Sequence, residues 1–309
     1  EVAWHLVEAD LAGIASHGVL RLPLYAKDAK NGRFKPSGVP TKMEHGESSC
    51  LINGNQGLGI PAMTMAIKEG MNLAKKTGTS SVGIINVGHT GRIGEFVETA
   101  ADSGYLSIIF GGGSRKDWPQ VVPFGGKKGL LPTNPYAFGI PGGKNGSVIV
   151  DFATSAAAGG KIYAAQMAEK TLSPGLCVNS EGIPTTKPED YFNGGALLPM
   201  AGPKGYGMAL VAELLGQAVF GPALDGMNWI CICIDLKKFC SQENYAEAAE
   251  LCLAEVRSSL PADGFSSVEI PGERERAVKN YRLENGIPIP KNTFSTLIES
   301  AKEYGIFMS

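Results

Sequence analysis

Hydrophobic and polar residues follow two periods along this chain, and the periods predict where helices and strands form. Ala3, Val7, Leu11 and Ile14 recur at helical spacing, so we predict a first helix that the following glycines end. Helical spacing also predicts helices at 22–30, 62–77, 244–258 and 293–304. Apolar runs predict strands at 48–52, 81–86, 106–110, 147–150 and 229–236, with a turn at 54–57 after the first strand.

One glycine-rich segment imitates a dinucleotide-binding fingerprint. Residues 57–62 read G-x-G-x-x-A and join a predicted strand to a predicted helix. A Rossmann site also needs an acidic residue about 20 positions further on, at the end of the next strand. That strand ends in Asn86 instead, and Pro61 stiffens the turn that would surround the pyrophosphate. We therefore predict that this segment is not a Rossmann site.

Composition narrows the class of protein. A chain of 309 residues can bury a large core, and this length predicts two subdomains. The net charge of −2 is close to neutral, so we expect no basic surface for nucleic acid. The longest apolar stretch, at 205–221, contains Glu213 and is too short and too polar to span a membrane. The six cysteines form no C-x-x-C pair, and Cys231 and Cys233 alternate within an apolar run. We expect free thiols in a reducing cytoplasm rather than a metal site.

The segment 16–21, S-H-G-V-L-R, carries the first candidate chemistry. His17 can exchange protons near neutral pH, and Arg21 can hold a carboxylate through two parallel hydrogen bonds. Four residues apart and at the end of the first helix, they could bind different ends of one small acid. The alternative is a capping histidine beside a surface arginine.

A second histidine follows the strand at 81–86. His89 lies in the loop 86–92, N-V-G-H-T-G-R, which leads into a helix predicted from Ile93, Phe96, Val97 and Ala100. A helix N-terminus disfavours imidazolium and favours a bound anion, so we expect a neutral His89 beside an anion site. Such a ring can act as a general base or polarise a carbonyl. The alternative is a histidine hydrogen-bonded across a tight turn.

Other polar residues allow two interpretations each. Asp151 ends a strand, where it could accept a hydrogen bond from a ribose hydroxyl or cap the following helix. Lys204 lies between glycines before a helix and resembles an anion-binding turn, although the Walker spacing is absent. A metal-dependent hydrolase or lyase using His17, His45 and His89 lacks any close ligand spacing, so we predict no metal.

Taken in order, the motifs resemble a known family. They are S-H-G at 16–18 with Arg21, G-H at 88–89 with Gly91, V-P-F-G-G at 122–126, T-N-P at 133–135, D-F-A-T-S at 151–155 with Gly160 and Lys161, G-I-P-T-T at 182–186 and G-P-K-G-Y-G at 202–207. This series, over about residues 1–280, resembles the malate/L-lactate dehydrogenase family, which is unrelated to the Rossmann-type lactate and malate dehydrogenases.

The resemblance implies roles for individual residues. Ser16, His17 and Arg21 would line the substrate site, and we add Thr133 and Asn134 of the T-N-P motif to substrate binding. His17 and His89 compete for the acid/base role. The residues expected to contact NAD or NADP are Asp151, Phe152, Ala153, Thr154, Ser155, Pro203, Lys204, Gly272 and Glu273.

The resemblance also implies a fold and an assembly. The expected fold is α/β, with a mixed-sheet cofactor-binding domain of non-Rossmann type at 51–204. A largely helical domain would combine 1–50 with 205–309, and the protein would form a homodimer with its site near the interface. Two departures are visible: the segment between Gly221 and Trp229 is shorter than usual, and the helix that normally precedes Glu1 is absent.

The implied reaction is hydride transfer between a nicotinamide and C2 of a small 2-hydroxy or 2-oxo acid. Arg21 would hold the carboxylate, and a histidine would exchange the proton of the oxygen, with His89 favoured because of its predicted helix N-terminus. Three alternatives remain: reduction of a cyclic 2-imino acid, the metal-dependent reaction above, and a carboxylate-binding protein without catalysis. The sequence leaves open the substrate, the physiological direction and the choice between NAD and NADP.

Overall fold

The computed structural model describes residues 1–223 and 226–307, without the side chains of Glu44 and His45. Its α-helices are α1 (Val2–Leu11), α2 (Leu22–Lys30), α3 (Gly59–Thr77), α4 (Gly94–Asp102), α5 (Gly159–Met167), α6 (Pro188–Phe192), α7 (Pro203–Glu213), α8 (Gln242–Arg257), α9 (Glu273–Asn285) and α10 (Lys291–Glu303). Its strands are β1 (Thr41–His45), β2 (Ser49–Gly57), β3 (Thr79–Val87), β4 (Tyr105–Gly112), β5 (Pro135–Ile140), β6 (Val148–Ala153), β7 (Cys177–Val178), β8 (Pro184–Thr185), β9 (Ala196–Leu197) and β10 (Asn228–Asp235).

A seven-stranded mixed sheet forms the centre of the molecule. Its order is β1-β2-β3-β10-β4-β5-β6. Only β2 and β3 run parallel, while the other neighbouring pairs are antiparallel. A Rossmann fold needs a mostly parallel sheet with helices on both faces. The mixed α/β fold predicted from the family resemblance is therefore confirmed, and so is the rejection of the fingerprint at 57–62.

The main core lies between this sheet and the helices α3 and α4. Ile52, Ile84 and Ile109 of three strands pack there with the buried face of α3. On β10, Cys231 and Cys233 are both buried, with their sulfur atoms 3.9 Å apart, as their alternation predicted. All six cysteines are free; four are buried, while Cys240 and Cys252 are exposed.

A second, smaller core lies beside a separate small sheet, and the division into two subdomains stays a prediction. The strands β7, β8 and β9 form a separate three-stranded sheet, and Ile162 of α5 packs with Cys177 and Leu197. The helices α8, α9 and α10 near the end of the chain contain no buried residue. Across the described residues, no helix has both the length and the apolar character needed to cross a membrane.

Two expectations about the chain differ from the structure. The turn predicted at 54–57 is wrong, since these residues belong to β2. There Asn55 and Gln56 have positive φ values of 51° and 62°, and the pairing with β3 shifts register, which makes the segment an irregularity within a strand. Moreover, β10 lies inside the large sheet, so the sheet draws on residues outside the predicted range 51–204. The segment expected to be shortened includes residues 224 and 225, which lie outside the described residues.

Candidate active site

A cavity of about 1120 Å³ lies where the N-terminal turns meet the large sheet and the turn before α9. It contains most of the sequence-predicted site. The predicted residues that line it are Ser16, His17, Arg21, His89, Thr133, Asp151, Phe152, Ala153 and Gly272. Sites for small molecules and cofactors commonly occupy about 300–1,000 Å³. This cavity is therefore large enough for a dinucleotide together with a small substrate.

Two short 3₁₀ turns after α1 present His17 and Arg21. The carboxylate of Asp10 fixes this segment, because it accepts a hydrogen bond from the Val19 amide at 2.8 Å. Gly18 is required beside it, since a Cβ at this position would lie 2.0 Å from an oxygen of Asp10. The Nε of Arg21 donates to the Ser16 carbonyl at 2.7 Å, which orients the guanidinium. The two terminal nitrogens of Arg21 are then available to an anion in the cavity.

His89 lies against His17 across the cavity wall. The two rings are stacked, with centroids 5.7 Å apart and planes inclined by 22°. Nδ1 of His89 accepts a hydrogen bond from the Gly91 amide at 3.1 Å, and the hydroxyl of Tyr25 lies 2.7 Å from the same atom. An amide can only donate, so Nδ1 carries a lone pair and the neutral ring holds its proton on Nε2.

Both imidazoles are neutral at neutral pH. The pKa of His89 is lowered to about 3, mainly because the surrounding protein desolvates the ring and to a smaller extent because of the charges of Arg21 and His17. Desolvation likewise lowers the pKa of His17 to about 4, with Arg21 as the largest charge contribution. The cavity edge of His89 is exposed, and solvent there opposes the shift without reversing its direction. Burial raises the pKa of Tyr25 to about 12, so its hydroxyl keeps its proton.

The N-terminus of α4 does not account for the neutral His89, contrary to the sequence-based prediction. Helix α4 begins only at Gly94, and its first free amide donates to Oδ2 of Asp151 at 2.8 Å. The anion at this helix N-terminus is thus a side chain of the protein itself. Desolvation and neighbouring positive charges account for the neutral imidazole. Asp151 therefore caps the N-terminus of α4, which precedes it in the sequence. It does not cap α5, the helix that follows it, as one interpretation of the sequence had suggested.

Several predicted residues lie away from the cavity or direct their side chains elsewhere. Asn134 is fully buried, and its amide donates to Oε1 of Glu213 at 2.9 Å, so Thr133 alone of this pair reaches the cavity. The hydroxyls of Thr154 and Ser155 donate to backbone carbonyls at 3.0 and 2.7 Å.

The predicted cofactor residues Pro203, Lys204 and Glu273 also do not present their side chains to the cavity. Pro203 and Lys204 are exposed at the start of α7 and do not line the cavity. Glu273 accepts hydrogen bonds from Arg257 at 2.8 Å and from the Ile270 amide at 2.9 Å. It therefore fixes the turn that places Gly272 in the cavity wall.

Sequence reasoning missed some cavity residues. Tyr25 lies on α2 one helical turn after Arg21, and this four-residue spacing was the available signal. Arg92 and Trp118 also line the cavity, but their positions depend on loops whose path the sequence pattern does not predict. Within the described residues, no group of three or more histidine, cysteine or acidic side chains is placed to hold a metal ion. The side chain of His45, named in the metal hypothesis, lies outside the described part of the chain.

The fold and the site together define a class of enzyme. A mixed α/β sheet of non-Rossmann type borders a cavity with two neutral imidazoles beside a guanidinium, an arrangement suited to proton exchange on a small carboxylic acid.

Comparison with known proteins identifies the family. The family model for malate/L-lactate dehydrogenase matches residues 1–298, and the chain belongs to this family. It is 33% identical to an L-sulfolactate dehydrogenase of Methanocaldococcus jannaschii, over 97% of this chain and 88% of that protein. It is 32% identical to a ureidoglycolate dehydrogenase (NAD(+)) of Escherichia coli K12, with the same shares.

Solved structures show the same relationship. The structure of the M. jannaschii sulfolactate dehydrogenase matches with a TM-score of 0.88, covering 99% of this chain and 90% of that one. A malate dehydrogenase of Pyrococcus horikoshii OT3 matches with a TM-score of 0.87 and 32% identity, covering 99% and 88%. The family resemblance predicted from the motifs is confirmed. The chain is a nicotinamide-dependent oxidoreductase that acts on 2-hydroxy acids.

Proposed function

We propose that Arg21, His17 and His89 together bind and convert the 2-hydroxy or 2-oxo acid in this cavity. The observation that carries the proposal is the stacking of two neutral imidazoles beside a guanidinium whose terminal nitrogens have no hydrogen bond to the described residues. One group can hold the carboxylate while two others act on the oxygen at C2. A nicotinamide bound in this cavity would supply the hydride chemistry at C2.

Arg21 binds the substrate carboxylate in this scheme. Its Nε is held by the Ser16 carbonyl, so the terminal nitrogens point to one place with little freedom. Two parallel hydrogen bonds to a carboxylate then fix which face of C2 is presented for hydride transfer. Lysine offers a single point charge and no such fixed geometry.

His89 donates a hydrogen bond to the C2 oxygen. The Gly91 amide and the Tyr25 hydroxyl occupy its Nδ1, which leaves the proton on Nε2, and Nε2 has no hydrogen bond to the described protein. A neutral imidazole in this state polarises a carbonyl or stabilises a developing alkoxide. It cannot accept a proton at Nε2 until it has lost the one it holds, so the general base is a different group.

His17 exchanges the proton. Its Nδ1 lies 2.9 Å from the hydroxyl of Ser16, and if Nδ1 donates there, Nε2 carries a free lone pair. In the oxidation, the hydroxyl proton of the substrate passes to this lone pair as the hydride leaves C2. Desolvation is the main cause that lowers the pKa of His17, and a carboxylate bound to Arg21 would offset the smaller contribution of the Arg21 charge.

The residues present fit a dinucleotide. Oδ2 of Asp151 is bonded to Gly94, and Oδ1, with no partner among the described residues, can accept from a ribose hydroxyl. The first residues of α5, Gly159 and Gly160, line the cavity without side chains, so a phosphate can approach their backbone amides closely. We assign the cofactor to this side of the cavity, with Phe152, Ala153 and Gly272.

We assign NAD rather than NADP. Arg274 and Arg276 are the arginines near the cavity turn that could bind a 2′-phosphate, and both are engaged. Arg274 donates to Glu269 at 3.1 and 2.6 Å, and Arg276 donates to two backbone carbonyls at 2.7 and 2.8 Å. Glu275 adds a negative charge to the same part of the wall.

We also propose a homodimer located in the cytoplasm. The helix α7 and the π-helical turn Leu214–Val219 that continues it expose large apolar side chains, with Leu214 at 63% and Val219 at 68%. Exposed apolar rows of this kind mark subunit interfaces. The six free cysteines are compatible with a reducing compartment.

A substrate panel tests the proposed function. Purified enzyme is mixed with NADH or NADPH and with pyruvate, oxaloacetate, sulfopyruvate or a cyclic 2-imino acid, and absorbance is followed at 340 nm. We expect turnover of a 2-oxo acid with NADH to exceed turnover of the imine. Turnover of the imine alone would overturn the 2-oxo acid assignment, and preference for NADPH would overturn the choice of cofactor.

A further inference from the structure

A third histidine, His5, lies behind the active-site loop and takes no part in the scheme above. It belongs to α1, and only 2% of its surface is exposed. Its ring is stacked on Phe96 of α4, with centroids 5.0 Å apart. A phenyl ring could occupy the same buried position and stack on Phe96 equally well. The presence of a histidine here is therefore explained by what its two ring nitrogens contact.

The two nitrogens of His5 differ: Nε2 is hydrogen-bonded, whereas Nδ1 lies close to a carboxylate oxygen without hydrogen-bond geometry. Nε2 accepts a hydrogen bond from the Arg92 amide at 2.9 Å, and Nδ1 lies 2.7 Å from Oε2 of Glu95. An amide can only donate, so Nε2 carries a lone pair and the ring proton is on Nδ1, facing the carboxylate. The Arg92 amide therefore requires this tautomer of His5, and the carboxylate of Glu95 beside Nδ1 is compatible with it.

The loop that carries His89 is shaped around this ring. Gly91 has a φ of +72°, and a Cβ at this position would lie 2.1 Å from Nε2 of His5. Only glycine fits this close approach in a left-handed backbone conformation. The backbone of residues 91 and 92 therefore follows the His5 ring, because Gly91 packs against Nε2 and the Arg92 amide donates to it.

The same two residues determine the state of His89. The Gly91 amide, adjacent in sequence to the Arg92 amide bound by His5, donates to Nδ1 of His89 at 3.1 Å. We propose that His5 is a positioning residue: by holding the Arg92 amide it directs the Gly91 amide onto Nδ1 of His89 and keeps the His89 proton on Nε2. This inference rests on the proposed role of His89 as a hydrogen-bond donor to the substrate.

The primary test is the tautomer of His89, which is measured without any substrate. The chain has four histidines, so a long-range ¹H–¹⁵N spectrum of ¹⁵N-histidine protein resolves each ring after assignment with single substitutions. We expect wild-type His89 to show a protonated Nε2 and a bare Nδ1. In His5→Phe, which keeps the ring but removes both nitrogens, we expect a mixture of tautomers. An unchanged His89 spectrum in a folded His5→Phe protein would refute the inference.

Kinetics and a matched control separate positioning from packing. We expect kcat of His5→Phe to fall about 10- to 100-fold with KM within about twofold, since only the orientation of His89 changes. His5→Gln retains an acceptor for the Arg92 amide and should recover to within about threefold of wild type. Phe96→Leu removes the stacked ring but keeps both nitrogens, so it should lower Tm and leave the His89 tautomer intact. Equal loss of the tautomer in Phe96→Leu would mean that packing alone positions the loop.

Two outcomes distinguish this inference from the proposed function. If His89→Ala turns over at the wild-type rate, the role of His89 fails whatever His5 does. If His89→Ala is impaired while His5→Phe keeps both tautomer and kcat, only the positioning role fails. If His5→Phe does not fold, His5→Asn is the replacement variant. Its side chain is polar but too short to reach the Arg92 amide, so the acceptor is lost. The ¹H–¹⁵N spectrum of His89 in this variant then tests the positioning role.

Discussion

Arg21 is held by one hydrogen bond from its Nε to the Ser16 carbonyl, at 2.7 Å, and this bond determines where its terminal nitrogens point. We predict that Arg21→Lys lowers kcat/KM by about 10²-fold, since the bidentate grip and its fixed direction are lost together. Steady-state kinetics with the best 2-oxo acid measure this. Arg33→Lys is the matched control, because Arg33 lines the same cavity with a weak ion pair to Asp28 at 3.8 Å. Equal effects of the two substitutions would remove Arg21 from carboxylate binding.

The two neutral imidazoles predict how stability depends on pH. Desolvation by the surrounding protein, together with the charge of Arg21, lowers the pKa of His17 to about 4 and of His89 to about 3, from an ordinary value of 6.5. Between these values the unfolded chain binds more protons than the folded one, so these groups make stability fall as pH decreases below about 6.5. We expect the loss of Tm between pH 7 and pH 5 to be smaller in His17→Gln and His89→Gln than in wild type. A steeper loss in both variants would contradict neutral histidines in the folded protein.

At the same scale, the sequence predicted the important residue types but not their partners. His17, His89 and Arg21 were recognised because imidazole and guanidinium groups stood in short motifs. Tyr25 and His5 were missed because their roles depend on contacts with His89 and Arg92 that are 64 and 87 residues away along the chain. The spacing of Tyr25 from Arg21 indicates a shared side of the chain, but neither it nor a lone histidine in a helix indicates a partner so distant in sequence.

The helix α7 ends in a buried carboxylate that connects two other elements. Oε1 of Glu213 accepts hydrogen bonds from the Gly113 amide at 2.8 Å and from Asn134 at 2.9 Å, next to the strands β4 and β5. We predict that Glu213→Leu lowers the free energy of unfolding by about 2–4 kcal/mol, because the buried Asn134 amide and the half-buried Gly113 amide lose this acceptor. Glu213→Gln keeps an acceptor and should cost about 1 kcal/mol or less. Urea unfolding measures both, and equal losses would show that the hydrogen bonds at Oε1 contribute nothing.

Regular elements could be predicted because their periodicity is local. The helix expected at 22–30 was found as α2, and the predicted helix at 62–77 begins three residues earlier as α3. The turn at 54–57 was wrong because its glycines serve close packing: a Cβ on Gly57 would lie 2.5 Å from the Gly38 carbonyl, in a different part of the chain. The prediction that a helix N-terminus keeps His89 neutral was also wrong. The sequence could not show that the carboxylate of Asp151 already occupies the N-terminus of α4.

On the scale of the whole molecule, the place of β10 could not be read from the chain. This strand follows β3 by more than a hundred residues yet pairs with it and with β4. Pairing between distant strands depends on the whole topology, and no local pattern encodes it. The family motifs supplied the fold class, and the structure supplied the strand order.

The exposed apolar row on α7 and the turn after it predicts the oligomeric state. Leu214 and Val219 are exposed in one chain, at 63% and 68%, and a second copy would bury them. We expect light scattering after size exclusion to give a dimer for wild type and a monomer for Leu214→Lys combined with Val219→Lys. Leu251→Lys on α8, equally exposed at 67%, is the control and should remain dimeric. A monomeric wild-type protein at micromolar concentration would contradict the homodimer.

In the proposed mechanism, the paired imidazoles of His17 and His89 perform the proton chemistry of a 2-hydroxy acid dehydrogenase. The most direct test of this mechanism is kcat of His17→Ala and His89→Ala beside wild type, in both directions, with the preferred acid and NAD at saturating concentrations. We predict that each substitution lowers kcat by at least about 10²-fold, because one removes the proton acceptor and the other the hydrogen bond to the C2 oxygen. Near-wild-type turnover in both variants would contradict the account.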